Sequence, residues 1–348
     1  MFLDTQKPLD IAENRYGIEP QKIIPINSGK VNLSFRVVTA SGDFCLQRLN
    51  DYFQNSEALG HNWELAQKVI TGHHLPFPEI VPAVDGNLLV ADDGSWRLTK
   101  WLDGHLPPAG DRDTAYLAGH TLGLIHRVLN VPRPIPALFK LPQDFAFTNQ
   151  KLASSKDFDN IYLLYRRHPN LVQINPLIKR AALAAFNLPR RPAFQRVFLA
   201  RDLVIHGDPK RENFLVESHK MALLDWDTIG YGDPLIDLGE LCRSFAVIKP
   251  NSEFQTSLAA CAVRGYEESG FDFDSQISLL LPAVIRALCL NLTLRYLIDA
   301  LAEVYFSWDP EKFDSLFAQN ESRAATLLST VEEMETSEME FINLLTRA

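Results

Sequence analysis

The pattern of apolar and polar positions changes at about residue 104. Before it, short alternating runs separated by glycine, proline and asparagine predict strands, and one longer run with helical spacing, residues 55–71, predicts a helix. After it, apolar residues recur every three to four positions and predict helices, including residues 115–129 and 158–188. The predicted strands before residue 104 are residues 21–27, 32–39, 44–49, 80–84, 87–91 and 96–101.

This change of pattern predicts an α+β protein in two parts. Residues 1–103 form the β-rich part and residues 104–348 the mainly helical part, and 348 residues are enough for two lobes with substantial cores. A short hairpin interrupts the helical part, with strands at residues 214–217 and 221–224. Polar residues gather on both sides of this hairpin.

The sequence before the hairpin is His-Gly-Asp-Pro-Lys-Arg-Glu-Asn (206–213), and the sequence after it is Leu-Leu-Asp-Trp-Asp (223–227). Transfer of a γ-phosphoryl group requires a carboxylate that orients and deprotonates the attacking hydroxyl, oxygen ligands for Mg²⁺, and a cation near the phosphate. Asp208 suits the base and Lys210 the cation, while Asn213 and Asp225 suit the metal. Protein kinases carry the same parts in the same order, so the spacing predicts a site for ATP and Mg²⁺.

The first two predicted strands are joined by a turn, residues 28–31, that contains one glycine. Backbone N–H groups in such a turn can approach a phosphate, which makes Ser28, Gly29 and Asn32 candidate nucleotide contacts. An ordinary hairpin is the alternative, because one glycine alone is a weak motif.

The third predicted strand is expected to supply a cation for the α- and β-phosphates. Gln47 and Arg48 follow its apolar run, and strand alternation sends them to opposite faces. Three readings stay open: Arg48 turns inward, Gln47 replaces the cation as a neutral donor, or Arg48 is simply exposed. The following helix would supply a carboxylate to the cation, with Glu64 as the candidate and Glu57 and Asn62 as alternatives.

The last predicted strand of the β-rich part runs into Lys100, Trp101 and Leu102. A hinge between the lobes is expected here, with its backbone pairing with adenine. Asp103 ends the first part.

Composition narrows the function classes. The net charge of -9 argues against a general nucleic-acid binder, since phosphate backbones require clustered cations. The four cysteines are scattered without a paired motif, which favours a reducing cytoplasm. The most apolar run, residues 277–294, is interrupted by Arg286 and followed by Arg295, so it predicts a buried helix and no membrane partner.

Polar residues also occur within the helical part. Asn291, Arg295, Asp299 and Glu303 recur every four residues and predict one polar stripe, which is either an ion-pair ladder or a wall for a hydroxylated ligand. Asp237 can cap a helix or brace the catalytic loop. His126 is interpreted as a packed or surface histidine, because no metal-ligand spacing follows it.

With these residues in hand, the chain resembles the aminoglycoside phosphotransferase and choline kinase superfamily, whose fold is two-lobed and protein-kinase-like. The resemblance rests on the motifs at 206–213 and 223–227 and on Gly-Asp-Pro-Leu-Ile-Asp-Leu-Gly at 232–239. Segments 46–59, 225–243 and 295–306 resemble the N-acetylhexosamine 1-kinase branch, which usually has asparagine where this chain has Gly207 and leucine where it has Trp226.

The resemblance implies that Asp208 is the base and that Asn213 and Asp225 bind Mg²⁺. It makes Arg295 and Tyr305 candidates for contacting sugar or phosphate. The candidate substrate contacts are completed by Asp227, Arg243 and Asp299.

The leading hypothesis is therefore an ATP-dependent kinase of a small-molecule hydroxyl, most simply a sugar or amino sugar, that acts by in-line transfer from MgATP. One alternative is an aminoglycoside-type antibiotic kinase. Another is a nucleotide-binding pseudokinase that regulates a partner, motivated by the neutral Gln47 at the usual lysine position.

Overall fold

The structure is a computed structural model and describes residues 6–26, 32–50, 56–135, 138–139, 151–248, 253–271 and 277–346. The chain divides into two compact units. The first unit comprises Met1–Gly104 and Ile135–Phe145, and the second comprises His105–Pro134 and Ala146–Ala348.

The first unit is built on an antiparallel sheet in the order β1-β2-β3-β6-β4, with β5 also pairing with β6. The predicted strands and helix are all present in the described segments, mostly a residue or two shorter at their ends, and the strands predicted at 80–84 and 87–91 shrink to two residues each. The elements are α1 (Gln6–Tyr16), β1 (Lys22–Ile26), β2 (Leu33–Val38), β3 (Phe44–Leu49), α2 (Ser56–Gly72), β4 (Ile80–Val81), β5 (Val90–Ala91) and β6 (Ser95–Lys100).

Strand alternation divides this sheet into two faces. One face packs its apolar side chains against Ile11, Ala12 and Tyr16 of α1 and forms the core of the unit. The opposite face carries polar side chains, among them Gln47 of β3 and Arg97 of β6, which are directly paired in the register.

The second unit is mainly helical. The helix predicted over residues 158–188 is divided in two by a turn over residues 165–170, which contains Pro169. The helices are α3 (Arg112–Asn130), α4 (Ser155–Leu164), α5 (Leu171–Asn187), α6 (Pro192–Val197), α7 (Pro234–Ala246), α8 (Thr256–Glu268), α9 (Ile277–Ala302) and α10 (Leu316–Leu345).

Short antiparallel pairs complete the second unit. They are β7 (Leu203–Ile205) with β10 (Gly230–Gly232), β8 (Phe214–Glu217) with β9 (Lys220–Leu223), and β11 (Val247–Ile248) with β12 (Glu253–Phe254). The predicted hairpin is present as β8 and β9.

The predicted buried helix is α9. Its segment Ser278–Ala302 is the one span, within the residues that the structure describes, that is long and apolar enough to cross a membrane, and most of it is buried inside the protein. A core helix passes the same test of length and composition.

Candidate active site

The loop between β7 and β8 brings three predicted site residues together. The Lys210 ammonium forms an ion pair with Oδ2 of Asp208, and Asn213 Nδ2 donates to the Asp208 carbonyl oxygen over 2.8 Å. Burial alone would lower the pKa of Lys210, but the carboxylates of Asp208 and Asp225 outweigh it and raise the pKa above its ordinary value. A fixed positive charge therefore lies beside the candidate base.

The candidate metal ligands are joined by the backbone. Leu224 N–H donates to the Asn213 carbonyl over 2.7 Å, and Asp225 follows in the left-handed conformation with φ 62°. This conformation is costly for a residue with a side chain, so the local fold holds the Asp225 carboxylate in a direction that an extended strand would not give it.

His206 connects the base to the same backbone. Its Nδ1 accepts the Asp208 N–H at 3.2 Å, so its Nε2 carries the proton and donates to the Leu224 carbonyl at 3.0 Å. Burial lowers the pKa of His206 and outweighs the opposing carboxylates of Asp237 and Asp208. The ring is therefore a neutral link between the loop and the hairpin end.

Asp237 of α7 braces the loop, which is one of the two roles that the sequence suggested, whereas the cap of α7 is Asp233. The fully buried Asp237 carboxylate accepts the N–H groups of His206 at 2.7 Å and Gly207 at 2.9 Å. Charged acceptors make the stronger hydrogen bonds, so this carboxylate positions the two residues that precede Asp208.

His126 extends this network and was not predicted to do so. Its Nε2 lies 3.0 Å from Asp237 Oδ2 and its Nδ1 lies 2.7 Å from the Tyr266 hydroxyl, and the three side chains are fully buried. Since Asp237 accepts, the Tyr266 hydroxyl donates to His126, and burial raises the pKa of Tyr266 so that it keeps its proton. No signal in a single sequence links positions 126, 237 and 266.

The donor set of Asn213 and Asp225 fits Mg²⁺. With its nitrogen donating to Asp208, the Asn213 amide presents its oxygen to a ligand, and Mg²⁺ is usually bound by one or two protein oxygens together with substrate phosphates and water. Among the described residues, no group of three or more His, Cys, Asp or Glu side chains is arranged to hold a metal ion.

The candidate substrate residues are spread over the second unit. Asp227 is buried in the turn after Asp225, and Arg243 is half-buried in a bidentate pair with Glu240 on the same helix. Arg295 Nη2 donates to the Tyr305 hydroxyl at 3.2 Å, and its guanidinium lies over that ring. The structure therefore brings Arg295 and Tyr305 together.

Asp299 was predicted to contact substrate, but its carboxylate binds groups of the protein itself. Its carboxylate accepts the N–H groups of residues 304–306 and the Asn320 side-chain amide. Helix α9 ends at Ala302 and Glu303 has φ 54°, so the predicted stripe does not continue to Glu303. Asp299 organises the loop that carries Tyr305, which favours an indirect role over direct contact with substrate.

In the first unit, Ser28 and Gly29 lie outside the described residues. Asn32 is described, and its Oδ1 accepts the Asn50 N–H at 2.9 Å. The N–H groups of Lys100 and Trp101 donate to the carbonyls of Glu79 and Asp43. These two N–H groups are therefore engaged within the unit, and the contact of residues 100–102 with adenine stays a prediction.

Gln47 and Arg48 lie on opposite faces, as alternation requires. Arg48 Nε donates to the Asp93 carbonyl at 3.0 Å, and its register partner is Trp96 of the α1-facing core. The reading in which Arg48 turns toward the polar face is therefore wrong. Gln47 Oε1 accepts from Arg97 Nη2 at 2.8 Å, and Gln47 Nε2 donates to Ser34 at 3.1 Å.

Glu64 does not pair with a strand cation. Its carboxylate forms an ion pair with Lys68, four residues along α2. Trp63 of α2 contacts the polar face of the sheet, since its ring lies 3.9 Å from the Arg97 guanidinium. The alternation of Ser-Trp-Arg-Leu-Thr-Lys in β6 could have marked Arg97 as inward-facing, but not its partners.

An antiparallel sheet unit followed by a helical unit with an Asp–Lys–Asn loop and a hairpin ending in Asp defines a protein-kinase-like fold. The sequence profile described as the phosphotransferase enzyme family matches residues 22–271. The chain belongs to this family, as its motifs predicted, and it is a small-molecule phosphotransferase that acts on hydroxyl groups. No curated protein sequence matches the chain significantly.

Solved structures share the fold. A microcompartment-associated aminopropanol kinase superposes with a TM-score of 0.63 at 16% identity, over 95% of this chain and 98% of that one. Amicoumacin kinase in complex with AMP-PNP, Ca²⁺ and Ami gives 0.60 at 13% identity, over 96% and 94%. An aminoglycoside phosphotransferase from Alicyclobacillus acidocaldarius gives 0.59 at 15% identity, over 93% and 94%. These likenesses confirm the predicted α+β kinase-like fold.

Proposed function

We propose that the chain is an ATP-dependent kinase that phosphorylates a hydroxyl of a sugar or amino sugar. The observation that carries the proposal is the loop in which Lys210 and Asn213 both contact Asp208. Direct in-line transfer needs positioning and charge stabilisation more than covalent chemistry, and this loop supplies both.

In the proposed reaction, the hydroxyl oxygen of the acceptor attacks the γ-phosphorus of ATP while Asp208 takes up the hydroxyl proton. ADP is the leaving group. Lys210 offsets negative charge beside the base, while His206 and Asp237 hold the loop backbone. Asn213 and Asp225 would hold Mg²⁺, which neutralises phosphate charge when bound. The first unit is proposed to bind the nucleotide, with Leu102 pairing with adenine.

The acceptor is proposed from the pair formed by Arg295 and Tyr305. An aromatic ring and a guanidinium joined by a hydrogen bond suit a polyhydroxylated ring, and the resemblance to the sugar-kinase branch makes both residues candidates for contacting sugar or phosphate. An aminoglycoside-type antibiotic kinase is the second candidate, since solved structures with this fold include spectinomycin phosphotransferase.

An acceptor panel tests the proposal. Purified protein with MgATP would be assayed for ADP release with hexoses, hexosamines, aminoglycosides, choline and homoserine, beside Asp208→Asn as the matched inactive variant. We expect turnover with a hexose or hexosamine and its loss in Asp208→Asn. Turnover restricted to aminoglycosides would favour the second candidate.

The same variant separates an enzyme from a regulatory pseudokinase. If MgATP stabilised wild type and Asp208→Asn equally and no acceptor gave ADP above background, the kinase proposal would fail and the pseudokinase would be favoured. A cytoplasmic location is proposed from the four cysteines, which are all free thiols, and the acidic net charge supports a small-molecule partner over nucleic acid.

A further inference from the structure

Three polar side chains form a row across the polar face of the sheet in the first unit. Ser34 of β2, Gln47 of β3 and Arg97 of β6 are direct register partners. Gln47 Nε2 donates to Ser34 Oγ at 3.1 Å, and Arg97 Nη2 donates to Gln47 Oε1 at 2.8 Å. The row begins at Ser34 on β2 and ends at Arg97, which contacts Trp63 of α2.

Arg97 is 1% exposed and its guanidinium stacks 3.9 Å over the Trp63 ring. A guanidinium keeps its charge at all relevant pH values, and a charge shielded from water acts over a longer range than one in solvent. A permanent positive charge therefore lies one side chain behind Gln47.

Gln47 occupies the strand position at which a cation for the phosphates was expected, and it is neutral. Arg48 cannot replace it, because it lies on the opposite face and binds the Asp93 carbonyl. Gln47 is instead in direct contact with the charged guanidinium of Arg97.

We propose that Gln47 and Arg97 together replace the single strand cation of the nucleotide site. Gln47 Nε2 is the donor to a phosphate oxygen of the nucleotide, exchanging its bond to Ser34 for that contact. Arg97 is a positioning residue: it holds Gln47 Oε1, polarises the amide and supplies the positive charge. This inference rests on the proposed use of ATP and identifies the side chain that binds the nucleotide phosphates.

Arg97→Met tests the charge and Gln47→Leu tests the donor, with affinities for ADP, AMP and adenosine measured by calorimetry in the presence of Mg²⁺. We expect each variant to lose about tenfold or more in ADP affinity, the size of a charge-assisted hydrogen bond, and to keep its adenosine affinity. A purely structural role would lower ADP and adenosine affinity together or neither.

The double variant Arg97→Met/Gln47→Lys provides a rescue, because it moves the positive charge back onto β3. We expect ADP affinity to return to within about threefold of wild type. Arg15→Met is the matched control, since Arg15 is a cation of the same unit that pairs with Asp85 and Asp92, and its ADP affinity should equal that of wild type.

Unchanged ADP-to-adenosine selectivity in folded Arg97→Met would overturn the role of Arg97 alone. Should that variant fail to fold, the half-buried Gln47→Leu decides, because unchanged selectivity there removes the donor on which the inference depends. If wild-type protein bound neither ADP nor ATP, the proposed function would fall together with this inference.

Discussion

Gly207 shows how a single residue sets the geometry of the catalytic loop. Its φ of +90° belongs to the left-handed region, and an added Cβ would meet the Thr228 carbonyl oxygen at 2.6 Å. Thr228 cannot retreat freely, because its hydroxyl donates to the His206 carbonyl. The asparagine typical of the resembling branch would meet the same obstacle here.

Gly207→Ala is expected to destabilise the protein by about 2–3 kcal/mol, the sum of backbone strain and a contact with a carbonyl, and to lower kcat. The matched control is Gly86→Ala, because Gly86 has φ +85° with no atom within 4 Å of an added Cβ. Chemical denaturation of both variants measures the difference. Equal losses would show that strain alone matters and that the Thr228 contact does not.

His206 predicts a pH dependence of stability. Burial holds its folded pKa below the ordinary value of 6.5, so between these two values the unfolded chain binds more protons. Stability from this group is therefore complete above pH 6.5 and declines as pH falls toward the folded pKa. His206→Asn keeps a donor and an acceptor without titrating.

The thermal midpoints of wild type and His206→Asn, measured from pH 8 to pH 5, check this prediction. We expect wild type to be the more stable at pH 8 and its advantage to shrink below pH 6.5. A constant difference over the whole range would show that His206 does not titrate in unfolding.

At the scale of elements, the seam between α3 and α8 depends on glycine. A Cβ at Gly265 would lie 2.0 Å from the Tyr116 carbonyl oxygen, and one at Gly119 would lie 1.9 Å from the Ala262 carbonyl oxygen. The neighbour of Gly265 is Tyr266, which binds His126 across this seam. The close approach of the two helices thus sets the network behind the catalytic loop.

Gly265→Ala is expected to cost about 3 kcal/mol, because backbone atoms must separate to admit the methyl group, and to reduce kcat through His126. Gly72→Ala is the control, as Gly72 ends α2 with no atom within 4 Å of an added Cβ. The midpoints of urea unfolding compare the two. A loss at Gly265 no greater than at Gly72 would contradict the packing argument.

At the scale of the whole molecule, ligand binding should couple to stability through the metal. A ligand at one hundred times its Kd stabilises by about 2.7 kcal/mol. We expect ADP to raise the thermal midpoint more with Mg²⁺ than with EDTA in wild type, and equally under both conditions in Asp225→Asn. The same Mg²⁺ dependence in that variant would exclude Asp225 as a ligand.

Much of the fold and of the catalytic loop could be predicted from the sequence, because both rest on short-range patterns. Alternating and helical spacings of apolar residues follow directly from the burial of one face of a strand or helix. Asp208, Lys210 and Asn213 lie close together in the sequence, within a single loop. The family assignment confirms the predicted superfamily, and the roles of the loop residues stay predictions. The break at Pro169 and the end of α9 before Glu303 were missed, since a periodic pattern does not show where a helix stops.

Contacts between distant positions were decided only by the tertiary structure. The spacing of polar residues along α9 left Asp299 either in an ion-pair ladder or in a ligand wall, but its carboxylate accepts backbone N–H groups of the loop that follows the helix. Gln47 could be recognised as neutral in a position that calls for charge, yet its pairing with Arg97 requires the register of two strands fifty residues apart. The sequence by itself determined which chemical groups lie in the catalytic loop, because local spacing places them there. Only the tertiary structure decided which buried charged residues contact the site residues, among them Asp237 and Arg97, because burial and strand register are properties of the folded chain.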